Sequence, residues 1–159
     1  MFEIDTRPAR LPSDPEQLLA ILRDKAEIEF LVRRYADICD EDYDPAKLVH
    51  LYTEDATWSS SSEGGTSEFG THVGRDAIME FFGGVSGQVV FAHHIVMSPE
   101  IEILEPGKRA RGRWNTLVFM NLSEDEYGRE GERKLIAAVY HHEYRCVDDG
   151  WRIARLHVH

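Results

Sequence analysis

Cysteine is almost missing from this chain. Cys39 and Cys146 are the only two in 159 residues. They stand far apart and in no Cys/His ligand spacing, which excludes a disulfide framework and a thiolate metal module. Long apolar runs are missing too, and none approaches the roughly 20 residues that a bilayer crossing requires. Met1–Pro12 contains no apolar h-region of the kind that marks a secretory leader. A cytoplasmic protein with no membrane partner is expected. Positive charge is in deficit, with 18 Lys and Arg against 29 Asp and Glu and a net charge of −11. Such a surface repels polyanions, so nucleic acid is excluded as a partner as well. There are no internal repeats. The one biased segment, Ser59-Ser60-Ser61-Ser62-Glu63-Gly64-Gly65, is expected to be a surface loop.

Apolar content is not lacking. At 42% hydrophobic residues, the chain can build the core of one domain. Residues 1–12 carry two prolines and no period and are read as an arm; residues 13–159 are the domain. Ser13-Asp14-Pro15-Glu16 has the form of a capping box. A helical pattern then returns Leu18, Leu19, Leu22, Ala26, Ile28, Phe30, Leu31, Tyr35 and Ile38 to one broad face, fading at Asp40–Tyr43. Asp44-Pro45 opens a second, shorter helix through Leu48 and Leu51. Thr53–Asp55 reads as a turn, Ala56–Trp58 as a short strand, and Arg75–Phe82 as a third helix stopped by Gly83-Gly84.

From Val89 the period changes to two. Strands are expected over Val89–Met97, Ile101–Leu104, Arg109–Leu122, Lys134–Val147 and Trp151–Val158. The connections are Glu105–Lys108, a charged loop from Ser123 to Arg133, and Asp148–Gly150. Helices followed by an antiparallel meander define an α+β class: three N-terminal helices on one face of a curved, mostly antiparallel sheet. A cone of this kind encloses a small-molecule pocket.

The strand from Val89 carries two adjacent histidines. Alternation places Val90, Ala92, His94 and Val96 on one face and Phe91, His93, Ile95 and Met97 on the other, so the two rings are expected to have separate roles. His94, alone in a small apolar row, is either a satisfied core residue or a base in an apolar pocket. If helices cover its side, Phe91, Ile95 and Met97 need a second copy of the chain as cover. A homo-oligomer is expected.

Several motifs occur in an order that resembles a known family. Arg34-Tyr35-Ala36 with Asp40, Leu51-Tyr52-Thr53-Glu54-Asp55-Ala56-Thr57-Trp58, and Gly74-Arg75-Asp76-Ala77-Ile78 resemble the first part of SnoaL-like domains of the NTF2-like superfamily. His93-His94 with Ser98-Pro99-Glu100-Ile101, Gly112-Arg113-Trp114, and Asp149-Gly150-Trp151-Arg152-Ile153 continue the likeness over about residues 20–157. The resemblance implies an NTF2-like cone. It is similar to the subgroup of scytalone dehydratase, the bacterial bile acid 7α-dehydratase and hexachlorocyclohexane dehydrochlorinase, which implies a cofactor-free lyase working through a His–Asp pair and assembled as a trimer ahead of a dimer. On that resemblance Tyr35, Asp40 and His94 are the candidate catalytic residues. Two departures stand out. Val118 takes the place of a further Asp of the bile acid enzyme, and Arg155 is the nearest substitute for an Arg that enzyme carries after its last strand.

The chemistry suits these residue types. Histidine accepts a proton near neutral pH, a carboxylate on its other nitrogen fixes the tautomer, and a tyrosine can polarise a leaving oxygen. Trp58, Val90, Val96, Trp114, Val118, Tyr140, His142 and Arg155 are the expected lining of a pocket for a small hydrophobic molecule. No cofactor is expected, and His94, His142 and His157 are too dispersed to form a metal motif. The expected function is a dehydratase-type elimination on an alicyclic or polyketide-like molecule. Two alternatives stay open: an isomerase or cyclase using the same base, and a non-catalytic binding or structural protein such as the small subunit of ring-hydroxylating dioxygenases.

Overall fold

A computed structural model describes residues 10–61, 69–123, 131–148 and 150–159. Most of the expected arm, the core of the Ser/Gly loop and most of the charged loop lie outside the described residues.

Helix α1 spans Pro15–Glu41. Its cap is Asp14, whose carboxylate accepts the Gln17 N–H at 2.8 Å, with Pro15 in the first turn. Ser13 of the expected capping box therefore falls one residue outside the cap. Asp24, Ile28, Val32, Ala36 and Asp40 recur every four residues and make one row of the helix. Leu31, Tyr35, Ile38 and Cys39 are buried beside that row. The expected apolar face was too broad. Leu19 and Phe30 are 68% and 62% exposed, because at 100° per residue both fall on the side of the helix away from Ile28.

Helix α2 (Pro45–Leu48) is capped by Asp44 and runs into a 3₁₀ turn, Val49–Leu51. Strand β1 is longer than expected, Tyr52–Ser60. Its pairing shifts between Tyr52 and Thr57, so the stretch read as a turn, Thr53–Asp55, lies in an irregular section within the strand. Strand β2 (Thr71–Val73), unforeseen, pairs with β1. Helix α3 is Arg75–Ser86. It runs through Gly83-Gly84 because neither glycine takes the positive φ that ends a helix.

Strand β3 is one 17-residue strand, Val89–Glu105, rather than two. The interruption read from Ser98-Pro99 is a bulge within it, with Ser98 at φ 53°. Pro99 is tolerated because β3 lies at the sheet edge, where a missing N–H breaks no ladder. In the following turn the Lys108 N–H reaches the Glu105 carbonyl, and Gly107 takes the φ of 67° that a turn of type II requires after proline. Strands β4 (Arg109–Leu122), β5 (Arg133–Val147) and β6 (Gly150–Val158) complete the sheet.

The strand order is β2-β1-β6-β5-β4-β3. Every neighbouring pair is antiparallel except β1 with β6. Three helices on a curved, open sheet of this kind form the expected α+β cone. Trp114, Tyr140, Tyr144, Trp151, Ile153 and Leu156 face the helices and form the core with Ile28, Val32, Ile78 and Phe82. The opposite face is apolar and open towards β3. Phe91, Ile95, Met97, Phe119 and Leu135 there are 37–64% exposed. Among the described residues no helix is long and apolar enough to cross a membrane.

Candidate active site

Asp40 belongs to the last turn of α1, and β3 is one of the two edge strands of the described sheet. An edge strand presents N–H groups that need acceptors. The Asp40 carboxylate supplies one: Oδ1 accepts the His94 backbone N–H at 2.8 Å. The same oxygen lies 2.6 Å from His94 Nδ1. At the other end of the row on α1, buried Asp24 accepts the Gly107 N–H at 2.8 Å. The helix thus holds β3 through Asp40 and the turn that follows β3 through Asp24.

Nδ1 is the nitrogen against Asp40, so in the neutral ring the acceptor nitrogen is Nε2. That nitrogen faces the Tyr43 hydroxyl at 3.3 Å. Tyr43 is buried and just past the end of α1, at φ 57°, where its N–H bonds the Ile38 carbonyl at 3.1 Å. Burial pushes the Tyr43 phenol well above its ordinary range, so it acts as a neutral donor. The sequence reading missed Tyr43. Its signal was its place three residues after Asp40, but the left-handed backbone that turns it back over the site is not written in any residue type.

A cavity of about 240 Å³ opens beside His94. Tyr35, Tyr43, Trp58, Phe81, Phe82 and Tyr140 form its aromatic wall, and Val89, Val118, Met120, Ile136 and Ala138 its aliphatic one. His94, Tyr35, Trp58, Val118 and Tyr140 therefore stand where the sequence suggested, while Asp40 sits behind His94. Tyr35 is fully enclosed, edge-on to Tyr52, Phe82 and Tyr140. Its phenol is pushed up by burial first and then by neighbouring Cys39 and tyrosines. No hydrogen bond joins it to His94; Tyr43 makes that contact.

Five expected lining residues are elsewhere. Val90 is 71% exposed, because the pairing shifts between Val89 and Phe91; the extra residue turns Val90 outward and leaves Val89 on the wall. Val96 and Trp114 face inward but pack into the core away from the cavity. The Trp114 indole N–H donates to the Tyr144 hydroxyl at 3.0 Å. Arg155 lies on the outer face, 3.6 Å from Glu143, because a register shift after Ile153 brings Leu156 inward in its place. His142 is buried in the core, stacked on Tyr144 with ring centroids 5.2 Å apart, and neither ring nitrogen has a hydrogen-bond partner. Burial, with a lesser contribution from His141, lowers it to about 3.

The expectation that His93 and His94 act separately is also corrected. His93 Nδ1 lies 3.2 Å from Asp40 Oδ2. Side chains from opposite faces of an interior strand cannot meet, but at an open edge both can turn around the backbone to one acceptor. His94, His142 and His157 do not converge, and no group of three potential metal ligands is found among the described residues. His157 is on the outer face, between the hydroxyls of Ser59 and Ser61 at 2.9 Å each. A second, wider groove of about 770 Å³ runs between α1 and β6, lined by Glu27, Arg34, Asp37, Lys47 and Arg152 among others, and does not touch His94.

A cone with one buried histidine held by a helix carboxylate at the mouth of an aromatic cavity defines a small-molecule site on an NTF2-like fold. The chain belongs to the SnoaL-like domain family, whose model matches residues 20–157. Solved structures agree on the fold. Hexachlorocyclohexane dehydrochlorinase LinA-type3 from Novosphingobium barchaimii LL02 superimposes with a TM-score of 0.70 at 23% identity, over 89% of this chain and 88% of that one. A protein provisionally described as a scytalone dehydratase from Novosphingobium aromaticivorans DSM 12444 gives 0.72 at 19% identity, over 87% and 85%. An NTF2-like superfamily protein from Salmonella enterica serovar Typhimurium LT2 gives 0.73 at 16% identity, over 87% and 92%. No curated protein matches the chain.

Proposed function

We propose that this protein is a cofactor-independent lyase that performs a dehydratase-type elimination on a small alicyclic or polyketide-like molecule. The observation that carries the reading is the 2.6 Å contact between Asp40 and His94 Nδ1, which leaves Nε2 as the base at the cavity. In this reading His94 removes a proton from carbon, and Asp40 stabilises the imidazolium that forms. The Tyr43 hydroxyl moves from Nε2 to the leaving oxygen or the developing enolate. Tyr35, Trp58, Val118 and Tyr140 enclose a flat hydrophobic skeleton. Val118, where the bile acid enzyme has Asp, lies directly across from His94 on β4 and makes that part of the cavity wall apolar, which favours substrates with few polar substituents. The names of the dehydrochlorinase and dehydratase-like structures support a lyase on this fold.

The exposed row Phe91, Ile95, Met97, Phe119 and Leu135 supports a homo-oligomer, a trimer before a dimer, in which another copy covers this face. Neither cysteine forms a disulfide, which fits a reducing compartment such as the cytoplasm.

The test is a panel of cyclic β-hydroxy ketones of one and two rings, assayed for loss of water by mass spectrometry. The reading expects at least one member to be dehydrated by wild type and not by His94→Gln. Binding of panel members without turnover would favour a carrier, and stereospecific hydrogen exchange without loss of water would favour the isomerase alternative.

A further inference from the structure

We propose that His93 is a positioning residue of this site: its ring holds the second oxygen of Asp40 so that the first stays aimed at His94. The inference rests on the reading of His94 and Asp40 as a working pair and adds a third member to it. Asp40 Oδ1 receives two donors, the His94 backbone N–H at 2.8 Å and His94 Nδ1 at 2.6 Å. Oδ2 receives neither of them. Its contact is His93 Nδ1, at 3.2 Å.

A carboxylate turns readily about its last side-chain bond, whose energy wells are broad. The Asp40 side chain is 21% exposed, so an unheld Oδ2 would exchange partners with water and rock Oδ1 with it. The two donors on Oδ1 and the His93 ring against Oδ2 together restrict the plane of the carboxylate. The plane in turn sets the direction of the Nδ1–H bond and the aim of Nε2 into the cavity. His93 can do this only because β3 is the edge strand. On an interior strand its ring would be confined to the outer face.

The His93 side chain is 58% exposed, so its replacement leaves the core untouched. The opposing account is a solvated ion pair with no consequence for the site, which many exposed pairs are. The two accounts differ in what His94 feels. The measurement is proton NMR of the His94 Nδ1–H, a hydrogen bond to carboxylate that resonates far downfield, assigned by its loss in His94→Gln. Its exchange with water is followed in wild type, His93→Asn and His93→Val. Asparagine keeps an N–H donor near the place of Nδ1; valine suits the strand and has none.

We expect the resonance to persist in wild type and in His93→Asn. In His93→Val it should exchange measurably faster than in wild type, or vanish. An unchanged resonance and exchange rate in His93→Val would overturn the proposal. So would equal losses in His93→Asn and His93→Val, which would mean that the imidazole ring itself, and not its donor, matters. No substrate takes part in this measurement, so the role of His93 can fail while the lyase reading stands, and the panel above can fail while the clamp on Asp40 holds.

Discussion

Two buried histidines face the same side of one sheet and are treated in opposite ways. His94 and His142 are 9% and 2% exposed. His94 lies on the edge strand β3, where Asp40 reaches it past the open side of the sheet and Tyr43 closes over its other nitrogen. His142 lies on β5, with β4 on one side and β6 on the other. It is stacked on Tyr144, has no partner on either nitrogen, and is held neutral. Burial alone therefore does not make a working base. What separates the two is access: a strand edge admits a carboxylate from a helix, and an interior strand admits only what its own face offers. In the proposed reading the first ring transfers a proton, while the second, with no partner on either nitrogen, fills space.

The largest expected effect comes from breaking the partnered side of that comparison. Asp40→Asn removes the charge that stabilises the imidazolium and should lower turnover by about 10²–10⁴-fold, the usual contribution of a positioned acid–base group. Circular dichroism and thermal melting should show the fold retained. A full loss of structure would make Asp40 a strand anchor first.

Tyr43→Phe deletes one hydroxyl and keeps the ring stacked on Phe82. The loss in kcat should be about 10²-fold, near the lower end for a single oxyanion-type donor. Tyr35→Phe, further from the base, should cost less. If Tyr35→Phe proved the more damaging of the two, the polarising role would pass back to the residue that the family resemblance suggested.

The third prediction concerns the unpartnered histidine and needs no substrate. The ordinary value of 6.5 applies to His142 in the unfolded chain, while the folded chain keeps it neutral until about pH 3. Between those limits the unfolded state binds the extra proton. Stability from this residue is thus complete above about pH 6.5 and falls as the pH drops towards 3, by about 1 kcal/mol per pH unit. Urea unfolding at pH 7, 6, 5 and 4 should show that slope in wild type and a shallower one in His142→Phe. The variant should also be no less stable at pH 7, since it removes two buried nitrogens that lack partners. A steeper acid slope in the variant would contradict the assignment.

The smallest change tests the outer face. Ile95→Lys and Met97→Lys place charge on residues that are each 37% exposed. They should shift the particle mass seen by light scattering towards a monomer and leave the isolated fold intact. Equal masses for wild type and both variants would remove this face from the assembly.

The sequence disclosed the fold well because periodicity is local. The change from a helical to a strand period at Val89 is visible in ten residues, and the ends of β4 and β5 follow from alternation. What it hid were bulges. A shift of one residue near Val90, at Ser98, or after Ile153 costs no change of composition, yet it turned Val90 and Arg155 out of the pocket. The site was half legible for a related reason. His94 was singled out by its apolar strand row and then, with Asp40, by a resemblance; Val118 and Tyr140 were read from their strand faces. Tyr43 and His93 were not found, because their positions depend on a left-handed residue after α1 and on β3 lying at the edge of the sheet. Both are properties of the assembled chain.

The account rests most directly on His94 acting as a base in its cavity. The measurement that decides it is the single-turnover rate of His94→Gln against wild type, on whichever β-hydroxy ketone of the panel wild type dehydrates fastest. Unfolding curves run alongside should show both proteins equally folded. The account predicts a fall of about 10²–10⁴-fold in the chemical step with substrate affinity little changed. A folded His94→Gln that dehydrates the compound at the wild-type rate would contradict it and leave the cavity a binding site.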